Sequence, residues 1–233
     1  MKLIKHYDFV NQTEINRDEW NIEVGEKWSN KELQHYVDSE NNLYFEDGLR
    51  IKATLENGVI KSSRINTKSK FSMKYGKIEI LAKVPKGLGT WPALWMMPQL
   101  AKHGHWPKSG EIDIMEHNGH NLDKLYMCLH TEKYNHRDGD PYDQRVTVEG
   151  LSDDFQTFGL LWDETKIQYL LNDVEYKTYF KGEHGKDTSH LGWPFDEEFY
   201  FIINLAMGGM FGGDVDMESF PQEFIVKDIK IFK

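Results

Sequence analysis

The sequence predicts an all-β protein, a two-sheet sandwich of the jelly-roll kind, on three observations. Apolar and polar residues alternate with a period of two in the informative windows, and few windows show the apolar stripe of a helix. Turn-forming residues separate several of these windows. The windows extend along the whole chain without a repeat or a linker-like stretch, so we expect a single domain over residues 1–233.

The predicted strands follow from that alternation, taken in chain order. They cover residues 43–45, 49–55, 77–84, 125–131, 155–162, 166–171, 174–180, 199–207 and 224–232. Asn172 and Asp173 fit a two-residue hairpin turn, because both residue types tolerate positive φ. Three long stretches lack a strand pattern, namely 98–110, 132–150 and 181–194. Long loops in a compact domain are usually functional, so we expect these three to border a cleft.

Composition excludes several classes of function. The 233 residues contain 28 Lys and Arg against 38 Asp and Glu, a net charge of −10, which argues against a nucleic-acid partner. No apolar run is long enough for a membrane helix. The single cysteine, Cys128, excludes an internal disulfide and a multi-cysteine zinc site. We expect a monomer without a cofactor. No secretion signal opens the chain, so we expect a mature secreted domain, with a cytoplasmic protein as the alternative.

Three carboxylates in the segment 111–116 are the strongest chemical signal. On a strand, Glu111 and Asp113 share one face, whereas strict alternation sends Glu116 to the other. A β-bulge at Ile114 and Met115 would return Glu116 to the face of the other two acids. Like charges so close together raise at least one pKa, which is useful for proton transfer.

This arrangement predicts hydrolysis of a glycosidic bond. With the side chains leaning inward, carboxyl groups about 5 Å apart are reachable, the separation typical of retaining glycoside hydrolases. One carboxylate then attacks the anomeric carbon and the other protonates the leaving oxygen. Asp113 forms a hydrogen bond with the nucleophile. The alternatives are a solvent-facing strand whose acids block edge pairing, and a calcium site, although the segment lacks the usual loop composition.

The motifs resemble glycoside hydrolase family 16 in its bulged, laminarinase-like form. Besides 111–116, the matching segments are 32–34, 63–64, 71–79, 91–96, 106–107 and 204–209, in family order. The resemblance implies a concanavalin-like β-jelly-roll sandwich of two antiparallel sheets with an open substrate cleft. It also implies endo-hydrolysis of β-1,3-glucan or mixed β-1,3/1,4-glucan. It implies Glu111 as nucleophile, Asp113 as its helper and Glu116 as acid/base.

Candidate substrate-binding residues are mainly aromatic. Indole rings stack on the apolar faces of sugars, so Trp91, Trp95 and Trp106 are candidates, with core packing the preferred interpretation for Trp91. By resemblance, Trp106 flanks the negative subsites, and Arg64 and Asn30 meet sugar hydroxyls.

Three further residues complete the predicted site. Asn204 interrupts an apolar run, so its buried amide either bonds within the protein or contacts a sugar, and the resemblance favours the sugar. His130 either adjoins the carboxylates or is a core histidine. Its side chain should lie about 7 Å from that of Cys128, too far for a thiolate–imidazole pair, which excludes a cysteine hydrolase. Phe211 stands where many relatives have tryptophan and could retain an aromatic wall.

No metal site is expected. Many relatives hold a structural calcium with an aspartate that aligns with Lys227, and Asp228 should face the other way. Two rival functions remain: a non-catalytic glucan-binding module, which would have no reason to retain two mutually repelling acids, and a family 16 hydrolase of agar or carrageenan. A sulfated polymer would favour a basic cleft, although bulk charge says little about a cleft.

Overall fold

The computed structural model describes residues 1–137 and 141–233, and within them the chain forms two packed sheets. The strands are β1 (Leu3–Asp8), β2 (Asn21–Ile22), β3 (His35–Tyr36), β4 (Leu43–Phe45), β5 (Leu49–Glu56), β6 (Val59–Ser62), β7 (Arg64–Asn66), β8 (Gly76–Lys83), β9 (Thr90–Pro98), β10 (Glu111–Glu116), β11 (Lys124–His130), β12 (Tyr142–Thr147), β13 (Gln156–Trp162), β14 (Lys166–Leu171), β15 (Val174–Phe180), β16 (Phe199–Met207) and β17 (Gln222–Phe232). The helical segments are 3-10 turns at Ser29–Lys31 and Glu183–Gly185 and one α-helical turn, α1 (Gly209–Gly212).

The strands form two sheets, which we call the front sheet and the back sheet. The front sheet has the order β12-β11-β10-β9-β16-β7-β2, and the back sheet has the order β15-β14-β13-β8-β17-β5-β6-β3, with β1 paired to β17 and β4 to β5. Pairing is antiparallel apart from the short parallel contact of β3 with β6. This confirms the predicted all-β jelly roll.

Apolar side chains from the inner faces of both sheets form the core. On the front sheet, Ile112 of β10 lies opposite Met96 of β9, which lies opposite Phe201 of β16, and all three are buried. Ile80 and Ile229 form the corresponding pair on the back sheet. Burial of each side chain of this size stabilises the folded protein by roughly 1.5–3 kcal/mol. The inner face of the front sheet therefore supplies the packing, and the outer face is free to bind a ligand.

The observed strands confirm most of the predicted ones. The strands at 166–171, 174–180 and 199–207 match residue for residue. Asn172 and Asp173 form the hairpin turn with φ of 51° and 63°, as the sequence predicted.

Several strands were missed, namely β1, β3 and β6 of the back sheet and β2, β7, β9 and β12 of the front sheet. The reasons are opposite for the two longest of the front-sheet strands, β9 and β12. Strand β9 is apolar on nearly every position and therefore shows little alternation. Strand β12 lies inside the stretch 132–150 that was expected to lack strands; it is a polar edge strand that pairs with β11. Residues 138–140 of that stretch lie outside the described residues.

Two of the three long loops reach the site directly. The 98–110 loop brings Trp106 to Glu111, and the segment after β11 brings His136 to His130. The 181–194 stretch contacts these loops instead, through the stacking of His190 on His103 with ring centroids 4.5 Å apart. No helix among the described residues is long and apolar enough to cross a membrane.

The last strand corrects one expectation about calcium. A register shift between Val226 and Asp228 marks a bulge, and both Lys227 and Asp228 face outward between the buried Val226 and Ile229. The expectation that Asp228 faces the other way was therefore wrong, because the bulge adds one residue to the outer side.

The residues around Lys227 do not fit a calcium ion. Its Nζ lies 2.8 Å from Oδ2 of Asp47, and Lys230 Nζ lies 3.7 Å from Oδ2 of Asp228. The Asp47 and Asp228 carboxylates are therefore each beside an ammonium group, and calcium affinity depends on uncompensated negative oxygen ligands.

Candidate active site

A β-bulge on β10 aligns the three acids on the outer face of the front sheet. The register with β11 shifts between Asp113 and Glu116, and the register with β9 shifts between Asp113 and Met115. Met115 is buried in the core, whereas Glu111 and Glu116 are partly exposed. The bulge that the sequence predicted is confirmed, and Ile114 is the residue that it accommodates.

Asp113 is the most enclosed of the three acids, with 3% of its surface exposed. Its Oδ2 lies 3.2 Å from Nε2 of His130. Burial first, and then the charges of Glu111 and Glu116, raise the pKa of Asp113 well above its usual range. A protonated Asp113 can donate a hydrogen bond to Glu111, so Asp113 is placed to hold that carboxylate in position.

Glu116 is held by Trp91. The indole Nε1 donates a 2.9 Å hydrogen bond to Oε1 of Glu116. Burial raises the pKa of Glu116, and the hydrogen bond from Trp91 opposes part of that rise. A carboxyl group with a raised pKa retains its proton at higher pH, as a general acid requires. The preferred expectation of core packing for Trp91 was wrong, because the ring is only partly buried and its N–H faces the site.

Glu111 is held by a second indole. Trp106, 44% exposed on the 98–110 loop, donates a 2.6 Å hydrogen bond from Nε1 to Oε2 of Glu111. His130 lies on the other side, with Nε2 4.0 Å from Oε1. The core alternative for His130 is therefore not what the structure shows: the ring lies against the carboxylates, as expected.

Trp95, Asn204 and Arg64 form a second cluster on the same face. Trp95 Nε1 donates to Oδ1 of Asn204 at 2.7 Å, and Asn204 Nδ2 donates to the hydroxyl of Tyr36 at 3.0 Å. The Arg64 guanidinium lies over the Trp95 ring at 4.8 Å from the centroid. Asn204 thus makes the structural hydrogen bonds that the sequence left open, and a sugar contact by this residue stays a prediction.

Arg64 is itself fixed from two further directions. Trp28 packs on the guanidinium at 5.0 Å from the ring centroid, and Glu23 Oε2 lies 2.8 Å from Arg64 Nε. A stacked and ion-paired arginine presents its remaining N–H groups in a fixed direction, which suits recognition of hydroxyl groups.

Asn30 and Phe211 lie at the end of the face where α1 packs. Asn30 is exposed in the 3-10 turn, and its carbonyl is so close to Gly209 that a Cβ there would lie 2.6 Å from the oxygen. Phe211 packs against Trp91 with centroids 5.1 Å apart and against Tyr126 at 4.8 Å. Phe211 therefore extends the aromatic surface beside Glu116, as expected.

Sequence reasoning missed Tyr126 and His136. Tyr126 pairs with Glu116 across β10 and β11, and its position four residues before His130 on the same strand could have revealed it. His136 packs edge-on against His130 with centroids 4.9 Å apart. Its segment lacks a strand pattern, so the sequence contained no signal for its placement.

Cys128 lies closer to His130 than expected. One ligand atom each from Cys128, His130 and His136 lie within 4.8 Å of one another, so the expected separation of about 7 Å was wrong because the side chains lean together. Cys128 is still no nucleophile: burial and the neighbouring carboxylates raise the pKa of its thiol well above the usual value, which disfavours the thiolate.

The fold and this site together define a class of enzyme. A jelly roll with an exposed sheet face lined by indoles, and with two carboxylates flanking a buried third on one bulged strand, is suited to polysaccharide hydrolysis by a two-carboxylate mechanism.

Comparison with known proteins identifies the family within that class. Residues 27–210 match the model of Glycosyl hydrolases family 16, and the chain belongs to that family. It is therefore a glycoside hydrolase.

Individual relatives are similar along most of the chain. The chain is 40% identical to a glucan endo-1,3-beta-glucosidase of Cryptopygus antarcticus, covering 84% of this chain and 78% of that protein. It is 36% identical to a beta-glucanase of Rhodothermus marinus, covering 93% and 79%. The crystal structure of a laminarinase from Flavobacterium sp. UMI-01 superposes with a TM-score of 0.92 at 34% identity and covers 100% of both chains.

Proposed function

We propose that this protein is an endo-acting, retaining β-glucanase that hydrolyses β-1,3-glucan of the laminarin type or mixed β-1,3/1,4-glucan. The observation that carries the proposal is the bulge, which brings Glu111 and Glu116 to one face of the sheet. Each of these carboxylates accepts a hydrogen bond from an indole N–H. The similarity to β-1,3-glucanases and laminarinases supports the choice of polymer.

Glu111 is the nucleophile in this mechanism. One oxygen of the Glu111 carboxylate attacks the anomeric carbon and forms a glycosyl ester, while the glycosidic C–O bond breaks. Trp106 holds the other oxygen, Oε2, so the attacking oxygen is Oε1. Asp113 donates to the nucleophile while it is ionised and retains its own proton.

Glu116 is the acid and then the base. Its proton passes to the leaving oxygen as the bond breaks, and the resulting carboxylate then removes a proton from the water that attacks the glycosyl ester. The second step releases the sugar with its original anomeric configuration and returns Glu111 to the carboxylate form. Each proton taken in one step is returned in the other, so both residues end as they began.

The exposed aromatic face supports an internal attack on long chains. Trp106 on one side and the Phe211–Tyr126 pair on the other flank the acids, so sugars can lie on both sides of the cleaved bond. The face continues away from the acids through Trp95 of β9, Arg64 of β7 and Asn30 of the first 3-10 turn. We assign glucan binding to these residues and to His130, Trp91 and Asn204 as part of the proposal.

A product profile on three polymers tests this function. The enzyme is incubated with laminarin, lichenan and agarose, and the products are separated over time by anion-exchange chromatography. We expect oligosaccharides of several lengths at early times from laminarin, from lichenan or from both, with none from agarose. A Glu116→Gln variant, matched in size, controls for contaminating activity. Binding to laminarin without products would favour the glucan-binding module, and agarose cleavage would favour the other polymer class.

We also propose that the protein acts as a monomer outside the cell, without membrane or nucleic-acid partners. Polymeric glucans do not cross membranes, so an enzyme for them is needed where the polymer is. Sedimentation of the purified protein, together with activity in fractionated cultures of the source, tests these two points.

A further inference from the structure

Cys128, His130 and His136 form a cluster that the proposed hydrolysis does not use as a unit. One nitrogen or sulfur atom from each lies within 4.8 Å of the other two. Thiolate and imidazole are the ligands that zinc and its neighbours prefer, whereas magnesium and calcium prefer oxygen. Cys128 is the only cysteine in the sequence, so a thiolate ligand can come from this position alone.

His130 is already arranged as a metal ligand. Its Nε2 faces Asp113 Oδ2 at 3.2 Å, and its Nδ1 is buried without a hydrogen-bond partner among residues 1–137 and 141–233. The whole residue is 7% exposed. A ligating histidine commonly donates its other ring N–H to a carboxylate, which directs the free lone pair at the metal. The Asp113 carboxyl group lies beside Nε2 in this way, so Nδ1 is the nitrogen left for an ion.

His136 is the ligand through which an ion from solvent can reach the cluster. Its side chain is 53% exposed, and its Nε2 lies 3.9 Å from Oδ2 of Asp143, which pairs with Cys128 across β11 and β12. Tetrahedral zinc with bonds of 2.0–2.3 Å places its ligand atoms about 3.5 Å apart, so the widest separation in the cluster must close by about 1 Å. Rotation of the half-exposed His136 ring can supply that movement.

We propose that Cys128, His130 and His136 bind a divalent transition-metal ion of the zinc class beside the catalytic carboxylates, and that the bound ion inhibits hydrolysis. On binding, the Cys128 thiol releases its proton to solvent and its sulfur forms the metal bond, while His130 and His136 each donate a nitrogen lone pair. No electron transfer is involved.

Inhibition follows from the position of the ion. His130 Nε2 lies 4.0 Å from Oε1 of Glu111, the oxygen assigned to attack the anomeric carbon. A double positive charge on the far side of that ring stabilises the negative charge on Glu111 and opposes its transfer to carbon. The inhibition therefore rests on the proposed function, whereas metal binding does not.

A second group of ligand atoms competes for the same ion. Glu111, Asp113 and His130 also offer atoms within 4.8 Å of one another. Two carboxylates and one imidazole would suit a harder ion and would require no sulfur. Removal of the Cys128 sulfur separates the two possibilities.

Cobalt absorption tests the binding without any assay of hydrolysis. Full-length protein freed of metal by EDTA and dialysis is titrated with Co²⁺ without oxygen. We expect a near-ultraviolet thiolate-to-cobalt charge-transfer band, which is lost in Cys128→Ser and Cys128→Ala and weakened in His136→Asn. His6→Asn, on the exposed β1 strand of the back sheet, should leave it unchanged. Absence of the band from the wild type would overturn the proposed site.

Zinc inhibition tests the consequence. Laminarin hydrolysis is measured against Zn²⁺ concentration, each variant relative to its own metal-free rate, with Mg²⁺ as the hard-ion control. We expect the half-inhibitory concentration to rise at least tenfold in Cys128→Ser and in His136→Asn and to stay unchanged in His6→Asn. Equal inhibition of wild type and Cys128→Ser would overturn the proposal and assign the ion to Glu111, Asp113 and His130. A protein that shows the cobalt band but cleaves no glucan would contradict the proposed function and leave the site standing.

Discussion

The indole Nε1 of Trp91 donates a 2.9 Å hydrogen bond to Oε1 of Glu116, the proposed acid/base. This hydrogen bond and the burial of Glu116 act on the pKa of its carboxyl group in opposite directions. Burial raises the pKa of Glu116, whereas the indole favours the charged carboxylate and lowers it. The balance decides the highest pH at which Glu116 still carries the proton that it must deliver.

Trp91→Phe should therefore move the alkaline limb of the pH profile of kcat/KM to higher pH. Phenylalanine retains an aromatic ring beside Phe211 but removes the N–H, so the pKa of Glu116 rises and its protonated form persists further. The profile is measured on laminarin between pH 4 and 10. Trp95→Phe is the matched control, because its N–H bonds to Asn204 and not to a carboxylate. A limb that moves down, or moves equally in the control, would contradict the assignment.

Azide rescue separates the roles of the two outer acids. Glu111→Ala and Glu116→Ala should each lose at least about 10³-fold in kcat with an intact fold, because nucleophile or proton donor is deleted. Azide should yield an α-glycosyl azide from Glu111→Ala and a β-glycosyl azide from Glu116→Ala, read by NMR. Reversed products would exchange the two assignments, and unchanged rates would remove both.

Trp106→Ala should weaken glucan binding without lowering stability. The ring is 44% exposed, so its loss removes a stacking surface and the hydrogen bond to Glu111 but little of the core. Trp20→Ala is the contrasting variant: that ring is 1% exposed, and its truncation should cost about 3–5 kcal/mol of unfolding free energy. Chemical denaturation and laminarin affinity electrophoresis measure the two effects. A stability loss of that size for Trp106→Ala with unchanged affinity would place it in the core.

The sequence predicted those parts of the fold in which alternation is strong. Strand β14, whose side chains alternate between partly exposed and buried, was predicted to the residue. Strand β9 is apolar on both faces, because its outward side chains include Trp91 and Trp95, and the edge strand β12 is mostly polar on both faces. Neither strand shows the contrast in polarity that an alternating pattern needs.

The site was predictable where covalent spacing fixes it. Glu111, Asp113 and Glu116 lie within six residues, so strand geometry and one bulge determine their common face. His136 reaches His130 through a loop, and Trp91 reaches Glu116 from the neighbouring strand. Those contacts depend on register and on rotamers, which a single sequence does not encode in any local pattern.

His117 should make stability depend on pH below neutrality. The residue is buried with Nε2 3.1 Å from the Leu122 carbonyl, and burial lowers its pKa from 6.5 to about 4. Between those values the unfolded chain binds a proton that the native protein does not, so stability rises with pH across the window and the contribution is lost as pH falls. At about 1.36 kcal/mol per pH unit, the contribution of His117 is at most about 3 kcal/mol.

Urea unfolding at pH 4.5, 5.5 and 7 measures this dependence. His117→Gln, which does not titrate, should show a smaller increase in unfolding free energy from pH 4.5 to 7 than the wild type. His184→Gln, exposed in a 3-10 turn, should retain the wild-type slope. Parallel slopes for wild type and His117→Gln would show that another group causes the pH dependence.

Lys227 should prevent calcium from stabilising the protein, because its ammonium lies 2.8 Å from the Asp47 carboxylate on the outer side of β17. The melting temperature should be the same with millimolar calcium and with EDTA. A ligand at 100 times its dissociation constant adds about 2.7 kcal/mol, which would raise the melting temperature by several degrees if a tight site existed. Lys227→Asp removes the ammonium and adds a third carboxylate near Asp47 and Asp228, so this variant should gain a calcium-dependent rise. Lys227→Met, which removes the charge without adding a ligand, should gain little. A rise of several degrees in the wild type would mean that Asp228 ligates calcium despite the neighbouring Lys230.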